Sequence, residues 1–571
     1  MPDTHRHHSV NYEVVIMQSI VRGRILAVII ASLSAACSPA DNERADNATT
    51  VQHLFVGGQL FDGTGDVPYV ADLGISEGKI VFIGDADTAK VTSDDTIDIA
   101  GLWIAPGFID VHSHAQLDED YGRDALPFLH QGITTVVLGV DGKGTRSFLE
   151  QGITTAELGV DGIGAGDVAK RLDLWRSNGI GTNGILYVGH GTIRRDVMGT
   201  ENRAPTRDEM AAMHALVRKG MDEGAFGLST GLFYVPGTYA STEEVLALAQ
   251  TAAEYENAIY DTHDRDLGAV YQGIGYDASV KEGIRIAEES GLRAIFSHYN
   301  LQGAHNYGRA DIGAKYINDA RARGVDVWAA HHPYTATHSL LQSYLIPGWA
   351  AAGGQEAMVA RFDDPELSAK IEAATNAMLQ IRGGADKIMF VDPQPDLNGK
   401  TLAQVSRERE LAPAAAVQQI LRSGDKSVMN LELYDDNNTR VLAQEAWMMT
   451  CTDGQTPLPD QPITHPRTYG AFAKKMRTFV FESEMLAPEF IIRSFSGLAA
   501  DFFRLPDRGY LRDGYAADLV VLDPLTYRDK ATFESPRQLT EGAIHVMVNG
   551  AFAIRDGEAT GTLAGLPLAR P

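Results

Sequence analysis

Ala105-Pro106-Gly107-Phe108-Ile109-Asp110-Val111-His112-Ser113-His114 decides the reading of this 571-residue chain. An apolar run ends in two histidines at i and i+2. On a strand those side chains project from one face, so His112 and His114 stand together at the end of a buried strand. Imidazoles held in this way are ligands for zinc or another borderline metal. A lone His-x-His is a weak signal, since two polar residues at a strand end need no metal. Its weight comes from the apolar runs further along the chain, which also end in His, Asp or Tyr.

Past this motif, strand-like runs alternate with amphipathic helical stretches, the pattern of a parallel sheet with crossover helices. The candidate strands are Phe108–Val111, Thr134–Val140, Gly184–Val188, Gly224–Leu228, Ala258–Thr262, Arg293–Ser297, Asp326–Ala330 and Trp447–Thr452. Such units read as a TIM-like (β/α)8 barrel within an α/β fold, with catalytic groups at the C-terminal strand ends. The polar residues found there are His112, His114, Asp141, His190, His263, His298, Tyr334 and Asp453. Residues 106–495 are assigned to this barrel. The texture differs at both chain ends, where short apolar clusters are broken by Gly, Asp and Asn. Residues 51–105 and 496–571 are expected to form one small β-sandwich domain.

An octapeptide beginning Phe128-Leu129-His130-Gln131 recurs as Phe148-Leu149-Glu150-Gln151, and both copies run on to Leu-Gly-Val-Asp-Gly. The first copy carries Val136-Val137 in its strand and the second Ala156-Glu157. A fully buried strand tolerates the valines better. Asp141 is therefore placed at the tip of the second strand, with Asp161 as the alternative and the second copy as an inserted loop.

The amino terminus reads as an export signal. Arg22 and Arg24 precede a short apolar run from Ile25 to Leu33, followed by Ser34-Ala35-Ala36-Cys37. Residues 1–37 are expected to be a signal peptide and 38–50 a flexible linker. Cys37 fits lipidation and a membrane tether in the bacterial periplasm, with simple cleavage as the other reading. The net charge of −26 excludes nucleic acid as a partner, because a phosphate backbone would be repelled. With only two cysteines there is no disulfide framework.

Taken together, the segments Gly107–His114, Gly227-Leu228-Ser229-Thr230-Gly231-Leu232-Phe233-Tyr234-Val235-Pro236-Gly237, Pro333-Tyr334-Thr335-Ala336, Thr452-Asp453-Gly454, His465-Pro466-Arg467-Thr468-Tyr469-Gly470 and Gly514–Pro524 resemble the amidohydrolase superfamily, and within it the D-aminoacylases (N-acyl-D-amino-acid deacylases). The resemblance implies one or two zinc ions and hydrolysis of an amide next to a D-centre in a small acylated amino acid or dipeptide. Carried over, His112, His114, His263 and His298 are metal ligands, and Asp453 is the general acid/base. Tyr334 and Arg467 hold the substrate carboxylate. His190 is read as a further substrate contact near the oxyanion. An insertion with a flap is implied within 340–440.

Two positions depart from the family pattern. Where it has a cysteine ligand at the end of strand two, this chain has Asp141, a harder donor. Where it often has a lysine near the substrate carboxylate, two residues past the sixth-strand histidine, this chain has Asn300. Two competing readings stay open: a cyclic-amide hydrolase of the dihydropyrimidinase kind, which uses a lysine at strand four where Ser229-Thr230-Gly231 stands here, and a non-catalytic substrate-binding lipoprotein. His331, His332 and His338 are read as loop or supporting residues. Glu243-Glu244, after Ser241-Thr242, is read as a helix cap, and Cys451 as buried and inert.

Overall fold

The computed structural model describes residues 49–139 and 167–571. The signal-peptide reading, Cys37, Asp141 and Asp161 lie outside the described residues.

The barrel strands are β1 (Phe108–Asp110), β2 (Ile133–Leu138), β3 (Asn183–Leu186, resuming at Val188–Gly189), β4 (Gly227–Gly231), β5 (Ile259–His263), β6 (Arg293–Phe296), β7 (Val327–His331) and β8 (Met448–Thr450). All pair in parallel with their sequence neighbours from β1 to β8. Their residues are nearly all buried, which is why they read as continuous apolar runs rather than alternating ones. Strand β4 begins three residues later than the sequence predicts. Gly224 adopts a positive φ of 105° and Ala225 N–H closes back on Gly220, so that stretch ends the preceding helix instead. That helix, Arg207–Asp222, is set by a Thr206/Glu209 capping box and an apolar stripe of Met213, Val217 and Met221.

The ring closes differently between β8 and β1. Thr452 donates both its backbone N–H and its hydroxyl to the buried Asp110 carboxylate. Beyond it, Asp453 N–H donates to His112 C=O and His114 N–H to Gly454 C=O. Burial pushes the Asp110 carboxyl up to about 7, against the Thr452 and His112 hydrogen bonds. A Cβ on Gly454 would sit 2.8 Å from the Thr468 main chain, so this seam admits only glycine there. The barrel floor is an apolar cluster of Ile109, Val137, Ile185, Ile259 and Met449 from the strands with Phe226 just before β4, closed by helix Gly497–Phe503 through Leu498, Phe502 and Phe503. That helix packs with the barrel, so the C-terminal share of the small β-sheet starts at Leu519 rather than at 496.

Strands from both chain ends form one nine-stranded sheet, the two blocks joined where Trp103–Pro106 pairs with Leu519–Leu522. Phe55 and Phe552 lie four strands apart in its order, roughly 19 Å in a flat sheet. Their rings are 6.2 Å apart, so the sheet curls over its own apolar face into the small sandwich.

Between β7 and β8 the chain builds a separate layer. An antiparallel sheet of Thr337–Leu340, Ser427–Asn430 and Ile388–Phe390 is covered by helices that include Gly354–Asp363, Pro365–Ile381 and Pro413–Leu421. It encloses its own apolar cluster around Leu345, Met358, Ile371, Phe390 and Val428. Among the described residues no helix is long and apolar enough to cross a membrane.

Candidate active site

The C-terminal ends of β1, β5, β6 and β8 bring four imidazoles and one carboxylate together. His112 lies 5.3 Å from His114 and 5.1 Å from His298, and His298 lies 4.4 Å from His263, ring centre to ring centre. All are buried. Asp453 faces both ways. Its Oδ1 is 3.1 Å from His114 Nε2 and 3.5 Å from His112 Nε2. Its Oδ2 accepts from Arg467 Nη1 and lies 3.9 Å from His332 Nε2. Burial alone would raise the Asp453 carboxyl, but Arg467, then His298 and the hydrogen bonds from His112 and His114, hold it well below the usual carboxylate range. Asp453 (φ 49°) and His298 (φ 36°) both occupy the left-handed backbone region, where a strand tip turns its side chain inward at a cost in strain.

The donor chemistry fits a metal. The ligand atoms of His112, His114 and Asp453 lie within 4.8 Å of one another. Burial, and then the neighbouring His298, drive His263 well below its ordinary value, leaving the neutral imidazole that metals bind. Neutral imidazoles with an ionised carboxylate are a zinc donor set.

This centre opens on a cavity. One wall is the barrel: His114, His263, His298, Asp453, Gln455 and Arg467. The opposite wall comes from the inserted layer and includes Thr337, His338, Leu340, Tyr344, Ser427 and Tyr434. Phe233 and Tyr234, just past β4, pack on His263 at 5.4 and 4.8 Å between ring centres.

Residues 95–554 match the amidohydrolase family. The chain belongs to this family. It is 32% identical to a D-aminoacylase of Alcaligenes xylosoxydans xylosoxydans, over 90% of this chain and 97% of that one. It is 33% identical to an N-acyl-D-aspartate deacylase of the same organism, over 91% and 95%. A solved D-aminoacylase superposes with a TM-score of 0.76 at 28% identity, covering 91% of this chain and all of that one. An N-acyl-D-glutamate deacylase from Bordetella bronchiseptica, solved with zinc and a phosphonate mimic of the tetrahedral intermediate, superposes at 0.74 with 27% identity and the same coverage. The protein is an amidohydrolase built as a TIM barrel with a small β-sandwich, and His112, His114 and Asp453 give it a donor set that fits a metal.

In this amidohydrolase not every strand-end residue reaches the cavity. His190 begins helix His190–Met198 and turns away to Glu244, 3.1 Å from its Nε2. The Glu244 carboxylate also takes two contacts from Arg194, at 2.9 and 3.0 Å. Ser241 does cap the helix, but Glu244 is also the anion of a buried triad, which capping alone does not describe. Arg194 and Arg195 donate to the Pro236 and Val235 carbonyls, so the triad braces the loop carrying Phe233 and Tyr234. Tyr334 is buried behind the cavity, its hydroxyl 3.4 Å from Pro466 C=O and its ring under Lys474. Arg467 does line the cavity, where Nη1 serves Asp453 and His332. Asn300 donates to the Thr439 hydroxyl and accepts from Leu301 N–H, outside the cavity lining. Strand β4 ends in hydroxyls bonded to Asp261 and Thr262, with no lysine for the cyclic-amide chemistry.

His332 and His338 are closer to the site than their sequence positions indicate: the first sits against Arg467, the second on the cavity wall. His331 faces the outside of the barrel beside buried Lys475 and, with burial and that cation against it, stays well below its ordinary value. Phe233 and Tyr234 fall inside a motif quoted for the resemblance; nothing in the sequence marks Tyr344 or Tyr434 as cavity residues.

Proposed function

We infer that this amidohydrolase removes the acyl group from N-acyl-D-amino acids, releasing a carboxylic acid and a free D-amino acid. The observation that carries the reading is the two-sided setting of Asp453, with metal-binding imidazoles on Oδ1 and Arg467 on Oδ2. Its nearness in sequence and fold to deacylases named for D-amino acids supports the same substrate class.

His112, His114, His263 and His298 would hold the metal, with Asp453 at its edge. Zinc in such a donor set polarises an amide carbonyl and brings the pKa of water down to about 7. Asp453, kept ionised by Arg467, takes a proton from the attacking water at Oδ1 and returns it to the leaving nitrogen. The Arg467 contact fixes the carboxylate plane and leaves Oδ1 for that transfer. His332 accepts from the same guanidinium, which holds the arginine in place. Phe233 and Tyr234 cover His263 and keep water away from that side of the centre.

The test is a panel of N-acetyl-D- and N-acetyl-L-amino acids offered to zinc-loaded protein. Release of free D-amino acid, abolished by a chelator and restored by zinc, is the expected result. Equal release of both enantiomers, or activity indifferent to chelation, would sink this reading.

A further inference from the structure

The metal histidines and Asp453 account for amide cleavage. They leave open what receives the free carboxylate of an N-acyl-D-amino acid. That carboxylate sits on the leaving amine, beyond the nitrogen that Asp453 protonates. Arg467 is the only lysine or arginine among the described residues lining the cavity, so the carboxylate belongs on its side. The family resemblance implies a lysine for this end, and here Asn300 is turned to Thr439 instead.

On that side of the cavity, His338 stands in the inserted strand Thr337–Leu340. Its Nε2 is 2.6 Å from Ser427 Oγ on the neighbouring antiparallel strand. His338 is paired with Met429, so Ser427 is its diagonal neighbour on the same sheet face. Its ring stacks on His465 at 6.4 Å and 26°, and His465 is fixed in turn on the Ala336 carbonyl and the Arg467 N–H. Both His338 and Ser427 line the cavity together with Arg467. The imidazole is thus held in one orientation from two sides. Burial, and then the Arg467 charge, push its pKa down to about 3, so it is a neutral group with one N–H to give. The Ser427 hydroxyl can donate to Nε2, and in that tautomer the imidazole N–H is on Nδ1.

Resting on the deacylase reading, we propose that His338, oriented by Ser427, is a specificity-determining contact of this chain, giving a hydrogen bond to the substrate's free carboxylate beside Arg467. A neutral donor next to a guanidinium takes the place of the second cation that the resemblance implies. The group is supplied by the inserted layer, so discrimination at this end of the substrate is separate from the barrel's chemistry.

The experiment compares N-acetyl-D-methionine with its primary amide, N-acetyl-D-methioninamide, which differ only at the carboxylate. For His338→Ala, KM for the acid is expected to rise roughly tenfold, the scale of one lost hydrogen bond to a charged group, with kcat little changed. KM for the amide, whose carbonyl accepts a weaker hydrogen bond, rises by less, so the acid/amide preference narrows. His338→Gln, which keeps a donor, restores part of the preference, and Ser427→Ala produces a smaller loss in the same direction. Zinc content and Tm are measured for each variant, and Ser427→Ala carries the test if His338→Ala fails to fold. Equal losses on acid and amide, or a loss in kcat alone, overturn the assignment. A zinc-loaded wild type that cleaves no N-acetyl-D-amino acid brings down the deacylase reading itself, and this inference with it.

Discussion

The two walls of the cavity are built on different plans. The barrel wall is a set of strand tips locked in a parallel ladder, where His298 and Asp453 hold strained backbone and every functional group is tied to its neighbour. The inserted wall is a small antiparallel sheet with its own apolar core, and it offers neutral groups to the cavity: Thr337, His338, Tyr344 and Ser427. One wall fixes charges that make and break bonds, and the other presents shape and hydrogen bonds. Changes to the first should therefore act on kcat and on stability, and changes to the second on which substrate is taken.

The sharpest way to break that division is Asp453→Asn. Asparagine tolerates the same left-handed backbone, so the change keeps the turn while removing the proton acceptor and the negative charge that faces Arg467. kcat should fall by roughly 10²–10⁴-fold with zinc still bound. A variant that lost zinc instead would make Asp453 chiefly a ligand. Glu244→Ala comes next, since it leaves Arg194 as an uncompensated charge that is fully buried. Destabilisation of about 3–5 kcal/mol is expected from denaturant titration. Folded material should also lose roughly tenfold in activity, as the loop under Phe233 and Tyr234 loosens. Unchanged stability would mean that the loop is held by other contacts.

The smallest effect separates stability from chemistry on the outer side of the barrel wall. Lys475 donates to the Thr450 hydroxyl, and burial, slightly opposed by Cys451, lowers its pKa to about 7. The unfolded chain binds that proton up to a pH of about 10.4. Between these values the unfolded state holds more protons than the folded one. Stability should thus gain as pH rises, by at most about 1.4 kcal/mol per unit. Lys475→Met should flatten this slope, raise Tm at pH 7 more than at pH 9, and leave kcat/KM as it was. Parallel Tm curves for the two proteins would show that the lysine is charged when buried.

Much of the barrel wall could be read from the chain, because a buried parallel strand writes its length as an apolar run and its end as the first polar residue. His112, His114, His263, His298 and Asp453 were all visible for that reason. His190 and Tyr334 answered the same signal and point elsewhere. Glu244, 54 residues on from His190, provides an anion that no local pattern announces. Tyr334 lies beyond the end of β7, where strand alternation no longer governs direction. The inserted wall was hidden in a different way. His338 reaches the cavity because its strand pairs with Ser427–Asn430, about ninety residues later, and strands of three or four residues leave little periodicity to detect. Asp141, assigned from the burial of its strand, lies outside the described residues.

The seam between β8 and β1 has a consequence for the order in which the enzyme comes into being. His114 and Asp453 are 339 residues apart and meet only where the last strand docks on the first. A chain still emerging from the ribosome can form most of the parallel ladder and carry His112, His114, His263 and His298, yet it has no Asp453 and no closed ring. Hydrolytic competence is therefore withheld until the final strand arrives. A second closure follows in the chain, where Leu519–Leu522 pairs with Trp103–Pro106 and joins the two chain ends in one sheet.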